Sequence, residues 1–217
     1  MSYTLNTIIL EPLSQKKPSN AVILCHGYGG DGKDISLLAS YWKAHLPETI
    51  FICPDAPERC EANPDGFQWF DLADRSPAQV LSKSLVAEKK LNNLIDEVKE
   101  KYNLESNKIA LSGFSQGCMI SLQTALKRKD QINSLIGYSG RIIELDHLSK
   151  NINAKPNIIL MHGDKDQVVP VDSLLEAKEF FSKIDYKIET KIFENCEHRI
   201  PSEGSSLGLQ FIKKHLY

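Results

Sequence analysis

Several short runs in this chain are apolar at consecutive positions rather than at every second one. Val22-Ile23-Leu24 and Ile158-Ile159-Leu160-Met161 are the clearest. Side chains of a strand point alternately to its two faces, so a strand apolar throughout needs cover on both. Runs of β-forming residues lie at Thr7 to Leu10, Ala21 to Cys25, Thr49 to Cys53, Lys108 to Leu111, Ser134 to Tyr138, Asn157 to Met161 and Lys187 to Phe193. Between them apolar residues recur at helical spacing. From Leu81 to Tyr102 the positions Leu81, Leu85, Leu91, Leu94, Ile95, Val98 and Tyr102 form one stripe among Lys and Glu. Further helical patterns span Ile35 to His45, Gln116 to Lys129, Ser173 to Ile184 and Ser205 to Leu216. This alternation predicts an α/β fold with a mostly parallel central sheet flanked by helices. The 217 residues contain no internal repeat, and the Pro/Gly-rich piece Pro54 to Gly66 is short enough for a loop. The expectation is a single domain over residues 1–217. Between Ser134 and Asn157 there is no room for a separate cap domain.

With 26 basic and 28 acidic residues interspersed, the net charge is −2, which offers no electrostatic reason to bind nucleic acid. The segment Met1 to Leu10 lacks the features of a secretory signal, and no apolar stretch reaches membrane-spanning length. The five cysteines are odd in number and show no C-x-x-C spacing, so neither a disulfide framework nor a thiolate metal site is indicated. A cytoplasmic location without integral membrane association is expected. Cys118 and Cys196 read as packed small hydrophobes.

Sheets of this class carry their active sites at the carboxyl ends of the strands. After Lys108 to Leu111 comes Ser112-Gly113-Phe114-Ser115-Gln116-Gly117, and a helical pattern follows at once. This is G-x-S-x-G between a strand and a helix. The glycines allow a turn tight enough to push Ser115 outward, and the helix behind it supplies free N–H groups.

A serine hydroxyl becomes a useful nucleophile when an imidazole takes its proton and a carboxylate orients that imidazole. The run Ile158 to Met161 leads into His162-Gly163-Asp164-Lys165-Asp166, where both aspartates qualify as the acid. Asp166 is favoured, since Val168-Val169-Pro170 can pack back and hold it; Asp164 sits in the first tight turn. The last run leads to His198, the one histidine that follows a strand and lies downstream of the acid. The oxyanion needs two preorganised N–H donors. One is expected from Gln116, the other from Tyr28 in the loop His26-Gly27-Tyr28-Gly29-Gly30. That loop lacks the G-K-[ST] ending and the G-x-G-x-x-G spacing of nucleotide sites.

The stretches Cys25-His26-Gly27-Tyr28-Gly29, Pro54-Asp55-Ala56-Pro57, Trp69-Phe70-Asp71, Gly113-Phe114-Ser115-Gln116-Gly117 and His162-Gly163-Asp164-Lys165-Asp166, followed by Val169-Pro170 and then by His198, occur in this order over nearly the whole chain. Together they resemble the phospholipase/carboxylesterase family of α/β-hydrolases, which includes acyl-protein thioesterases and lysophospholipase-like esterases. The resemblance implies an α/β-hydrolase fold, Ser115 as nucleophile, Asp166 as acid, His198 as base, and backbone donors at Tyr28 and Gln116. It implies cleavage of esters or thioesters of medium to long acyl chains through an acyl-enzyme, with lipid or acylated protein as substrate and with no cofactor or metal. Trp69, Phe70 and Leu72 are expected on one side of the substrate cleft, with core packing an equal alternative for Trp69 and Phe70, and Val168 on the other with Ile142, Ile143 and Ile200 as further contributors. Two other readings keep the fold: a hydrolase of amide or peptide bonds, and a non-catalytic module that binds an acyl chain or a protein.

Overall fold

The computed structural model describes residues 3–217. The strands are β1 (Thr7–Leu10), β2 (Asn20–Cys25), β3 (Thr49–Pro54), the two-residue pair β4 (Glu58–Arg59) and β5 (Phe67–Gln68), β6 (Ile109–Phe114), β7 (Ser134–Tyr138), β8 (Asn157–Gly163) and β9 (Glu189–Phe193). The helices are α1 (Gly32–Lys43), α2 (Pro77–Tyr102), α3 (Gln116–Lys127), α4 (Leu145–Ser149), α5 (Asp172–Lys183) and α6 (Ser202–Leu216). Seven strands form the main sheet in the order β1-β3-β2-β6-β7-β8-β9. Within this sheet only β1 is antiparallel to its neighbour. The mostly parallel sheet flanked by helices is the expected α/β-hydrolase arrangement, and all seven predicted runs contribute a strand.

The consecutive apolar residues have the predicted cause. In β2, Ala21, Ile23 and Cys25 pack into a core with Leu91, Leu94, Ile95 and Val98 of α2 and Ile120 and Leu122 of α3. The intervening Val22 and Leu24 face the opposite core, with Ile35, Ala39 and Trp42 of α1 and Phe211 and Ile212 of α6. Both layers are thus served by one strand, and a one-residue slip would exchange its two faces. The outer strand β9 alternates charged Glu189 and Lys191 with other residues and is largely uncovered, which discourages edge-to-edge pairing.

α3 and α5 start at or one residue from their predicted positions, whereas α1, α2 and α6 start a few residues before the periodic stripes. Periodicity places the start of the longest helix at Leu81, whereas α2 begins at Pro77. Proline suits this first position, because its N–H would have no partner there and its φ is already helical. α1 begins at Gly32, three residues before Ile35, and the Asp31 carboxylate caps it by accepting the Asp34 amide at 2.7 Å. The β4–β5 pair and α4 give no signal in the sequence, because two to five residues are too few to show a period. No helix among the described residues is long and apolar enough to cross a membrane.

Two glycines let β6 and α3 approach each other and the rest of the sheet. A Cβ on Gly113 would lie 2.3 Å from the Gly117 carbonyl oxygen, and one on Gly117 would lie 2.1 Å from the Cys25 carbonyl oxygen. Backbone on both sides cannot move aside as a side chain can. Gly117→Ala is therefore expected to destabilise the protein by about 2–3 kcal/mol or more. Gly30→Ala, where the nearest atom would be 3.4 Å away, serves as the control and should stay within about 1 kcal/mol. Denaturant midpoints of the two variants decide the matter; equal midpoints would show that the turn relaxes.

Candidate active site

Because β2, β6, β7, β8 and β9 are parallel, their carboxyl ends open on one edge of the sheet. Ser115 occupies the single residue between β6 and α3 with φ 53° and ψ −117°, a positive-φ conformation rare for a residue with a Cβ. Its amide donates to the Tyr138 carbonyl at the end of β7 (2.9 Å), which anchors the turn. Asp166 lies three residues beyond β8 and His198 five beyond β9.

The structure brings these three together. Ser115 Oγ lies 3.0 Å from His198 Nε2, and His198 Nδ1 lies 2.7 Å from Asp166 Oδ2. Asp166 Oδ1 accepts the amides of Val168 (3.0 Å) and Val169 (2.9 Å). Burial raises the Asp166 pKa, but the His198 hydrogen bond and these amides outweigh it and hold the carboxyl below its usual range. An ionised Asp166 can only accept, so His198 carries its proton on Nδ1 and offers the Nε2 lone pair to the Ser115 hydroxyl. Phe114 packs against the imidazole, with ring centroids 4.8 Å apart. Asp164 acts on the loops instead. Its Oδ1 accepts the Cys196 amide (3.2 Å), while the Lys165 amide donates to the Cys196 carbonyl (2.9 Å). These bonds tie the loop carrying His198 to the loop carrying Asp166. Gly163 permits this contact, as a Cβ there would meet the Cys196 carbonyl oxygen at 2.2 Å.

The Gln116 amide heads α3, where no preceding turn exists to accept it, and the Tyr28 amide likewise has no protein acceptor among the described residues. Two cavities meet at this point. A groove of about 450 Å³ is lined by Ser115, Gln116, Tyr28, Phe70, Leu72 and Val168, among others. A recess of about 370 Å³ is lined by His198, Phe114, Ile35 and Ile200, with Tyr28 shared between the two.

Comparison with known proteins places the chain in a family. The phospholipase/carboxylesterase family model matches residues 9–217. The chain belongs to this family. Acyl-protein thioesterase 1 of Saccharomyces cerevisiae is 31% identical over 210 residues, which covers 90% of this chain and 92% of the yeast protein. The crystal structure of esterase PE8 superposes with a TM-score of 0.92 at 31% identity, covering 97% of this chain and 98% of that one. Arabidopsis thaliana SOBER1, 20% identical with a TM-score of 0.79 and coverage of 90% and 98%, shares the fold. The chain is a serine hydrolase of the esterase/thioesterase type.

Within this family member, the residues expected along the cleft take three different places. Phe70, Leu72 and Val168 line the groove, Phe70 as its buried floor and Val168 69% exposed at its rim. Trp69 lies outside both cavities: it is buried, its indole Nε1 donates to the His26 carbonyl (2.9 Å) and its amide donates to the Gln116 side-chain oxygen (3.0 Å). Gln116 Nε2 in turn donates to the Phe70 carbonyl (2.7 Å). Trp69 thus braces both loops that present the free amides. Ile142 and Ile143 line a separate small recess beside Met119 and Leu122, and Ile200 belongs to the recess on the His198 side.

Two buried histidines have roles that sequence does not reveal, because neither spacing nor residue type distinguishes a satisfied imidazole from a solvated one. His26 Nε2 accepts the Ala56 amide (2.9 Å), so its proton sits on Nδ1, which donates to the Gly27 carbonyl (2.7 Å). His162 Nε2 donates to the Val169 carbonyl (2.8 Å) and lies 3.4 Å from Asp166 Oδ2. Burial lowers both pKa values. The unfolded chain therefore binds protons below about pH 6.5 that the native state resists, and the stability these neutral rings contribute above that pH is lost as the pH falls. A urea midpoint that declines between pH 7 and pH 5 is the expected result; a flat midpoint would show that the fold does not hold these rings neutral. All five cysteines are buried and unpaired, and burial pushes the Cys118 thiol up to about 12. Among the described residues no cluster of His, Cys, Asp or Glu is arranged to hold a metal ion.

Proposed function

We propose that this chain, acting as a single catalytic unit without a cap, hydrolyses esters and thioesters of medium to long acyl chains through a covalent acyl-enzyme. The observation that carries the reading is the unbroken chain of hydrogen bonds from Ser115 Oγ through His198 to Asp166, at 3.0 and 2.7 Å. Ser115 Oγ attacks the carbonyl carbon while His198 Nε2 takes its proton, and the amides of Tyr28 and Gln116 stabilise the oxyanion. His198 then gives that proton to the departing oxygen or sulfur. Water, deprotonated by the same imidazole, releases the acid and restores Ser115. Asp166 keeps the imidazole in the required tautomer and stabilises its protonated form. None of these steps calls on a metal or cofactor.

The leaving group must lie beside the nitrogen that protonates it, so it occupies the recess lined by His198. The acyl chain then takes the groove lined by Ser115 and Gln116. Between β7 and β8 only the five-residue α4 intervenes, so bulky leaving groups find no cap in their way. This suits an acylated protein, as the name of the yeast relative suggests, and a lysolipid equally.

A fluorophosphonate probe should label the wild-type protein at Ser115, whereas a non-catalytic binding module would not react. Across esters graded from acetyl to octanoyl, kcat/KM should rise by up to about fourfold per methylene buried, since each contributes about 0.8 kcal/mol. A steady fall from acetyl onward would replace the groove with a small closed pocket.

A further inference from the structure

The acyl groove contains two charges of the same sign. Arg75, from the loop between β5 and α2, and Arg141, from the loop after β7, are the charged residues on its wall. The rest of the lining is apolar or uncharged: Phe70, Leu72, Val80, Met119, Val169 and Pro170 supply most of it. No carboxylate lines it, and neither guanidinium, each on an exposed residue, forms an ion pair among the described residues; of the acids nearest in sequence Asp71, Asp74 and Glu144 have other partners, while Asp172, exposed between Pro170 and Ser173, has none among the described residues. Asp71 pairs with Lys83 (2.6 Å). Asp74 accepts the Ser76 amide (2.8 Å). Glu144 caps α4 through the amides of Asp146 and His147. Asp166 is saturated by His198 and the Val168 and Val169 amides.

The stems of exposed arginines can cover a hydrocarbon tail, but their two unpaired guanidinium heads add something a tail does not use, a planar array of donors that binds carboxylates. From this we infer that the preferred acyl group ends in a carboxylate: the substrate class is the half-ester or half-thioester of a dicarboxylic acid. Its methylenes lie on the apolar wall while Arg75 and Arg141 receive the terminal carboxylate. The anion belongs to the acyl part, because the leaving group is held on the other side of Ser115, beside His198. The bonds made and broken are those of the proposed acyl transfer, and the inference rests on that reading.

The test compares three phenolic esters on wild type, on Ser115→Ala and on the double variant Arg75→Gln/Arg141→Gln. They are the phenyl half-ester of octanedioic acid, phenyl octanoate, and 4-carboxyphenyl octanoate, which moves the anion to the leaving group. The expected wild-type result is kcat/KM about tenfold higher for the half-ester than for phenyl octanoate, a preference that shrinks as salt is added. The double variant should bring the ratio close to one. A wild-type ratio under about two, or a ratio that survives in the double variant, would overturn the inference while leaving Ser115-dependent hydrolysis of phenyl octanoate intact. Faster cleavage of 4-carboxyphenyl octanoate than of the half-ester would place the anion on the leaving group and overturn it too. Hydrolysis unchanged in Ser115→Ala would instead bring down the catalytic reading, and this inference with it.

Discussion

Ser115→Ala is expected to lower kcat for ester hydrolysis by about 10⁴-fold or more without unfolding the protein. The hydroxyl makes one hydrogen bond, to His198 Nε2, and the turn is held by the Ser115 amide on the Tyr138 carbonyl, which alanine keeps. Gln116 and Tyr28 keep their amides, and the groove keeps its lining. Some rate above that in water should therefore remain, from binding and oxyanion stabilisation alone. Turnover within tenfold of wild type, with the melting temperature unchanged, would remove Ser115 from the chemistry. The elbow would then be a structural turn.

The second large effect separates two aspartates only two positions apart. Asp166→Asn should reduce turnover by about 10⁴-fold, because an amide facing His198 Nδ1 can present an N–H and favour the wrong tautomer. The same substitution at Asp164 retains a side-chain oxygen for the Cys196 amide. Its effect on rate should be tenfold or less. Asp164→Ala removes that acceptor and loosens the tie between the two loops, so a larger loss is expected there, accompanied by a lower melting temperature. If Asp164→Asn proved the more damaging of the two asparagine variants, the oriented imidazole would depend on the loop tie rather than on the carboxylate at 2.7 Å.

Pattern alone was enough for the seven strands of the main sheet and for the longer helices, because burial on both faces of a parallel sheet forces consecutive apolar residues, and cover on one side of a helix forces a stripe. Both signals are local. So is the turn at Ser115, whose flanking glycines are required by backbone approaches of 2.3 and 2.1 Å. Position after a strand was sufficient to nominate His198 and to narrow the acid to Asp164 or Asp166, since parallel strands deliver their carboxyl ends to one edge; the preference for Asp166 came from Val168-Val169-Pro170 behind it. What required the tertiary structure was every question about which groups meet across it. Ser115 and His198 are 83 residues apart, and His198 and Asp166 32 apart, so sheet register and loop packing decide their distances. Trp69 could line a cleft or support one; its indole on the His26 carbonyl and its amide on Gln116 make it a support. Nothing in the sequence links Arg75 with Arg141, 66 positions apart. Only the packing of two separate loops puts both on one groove wall.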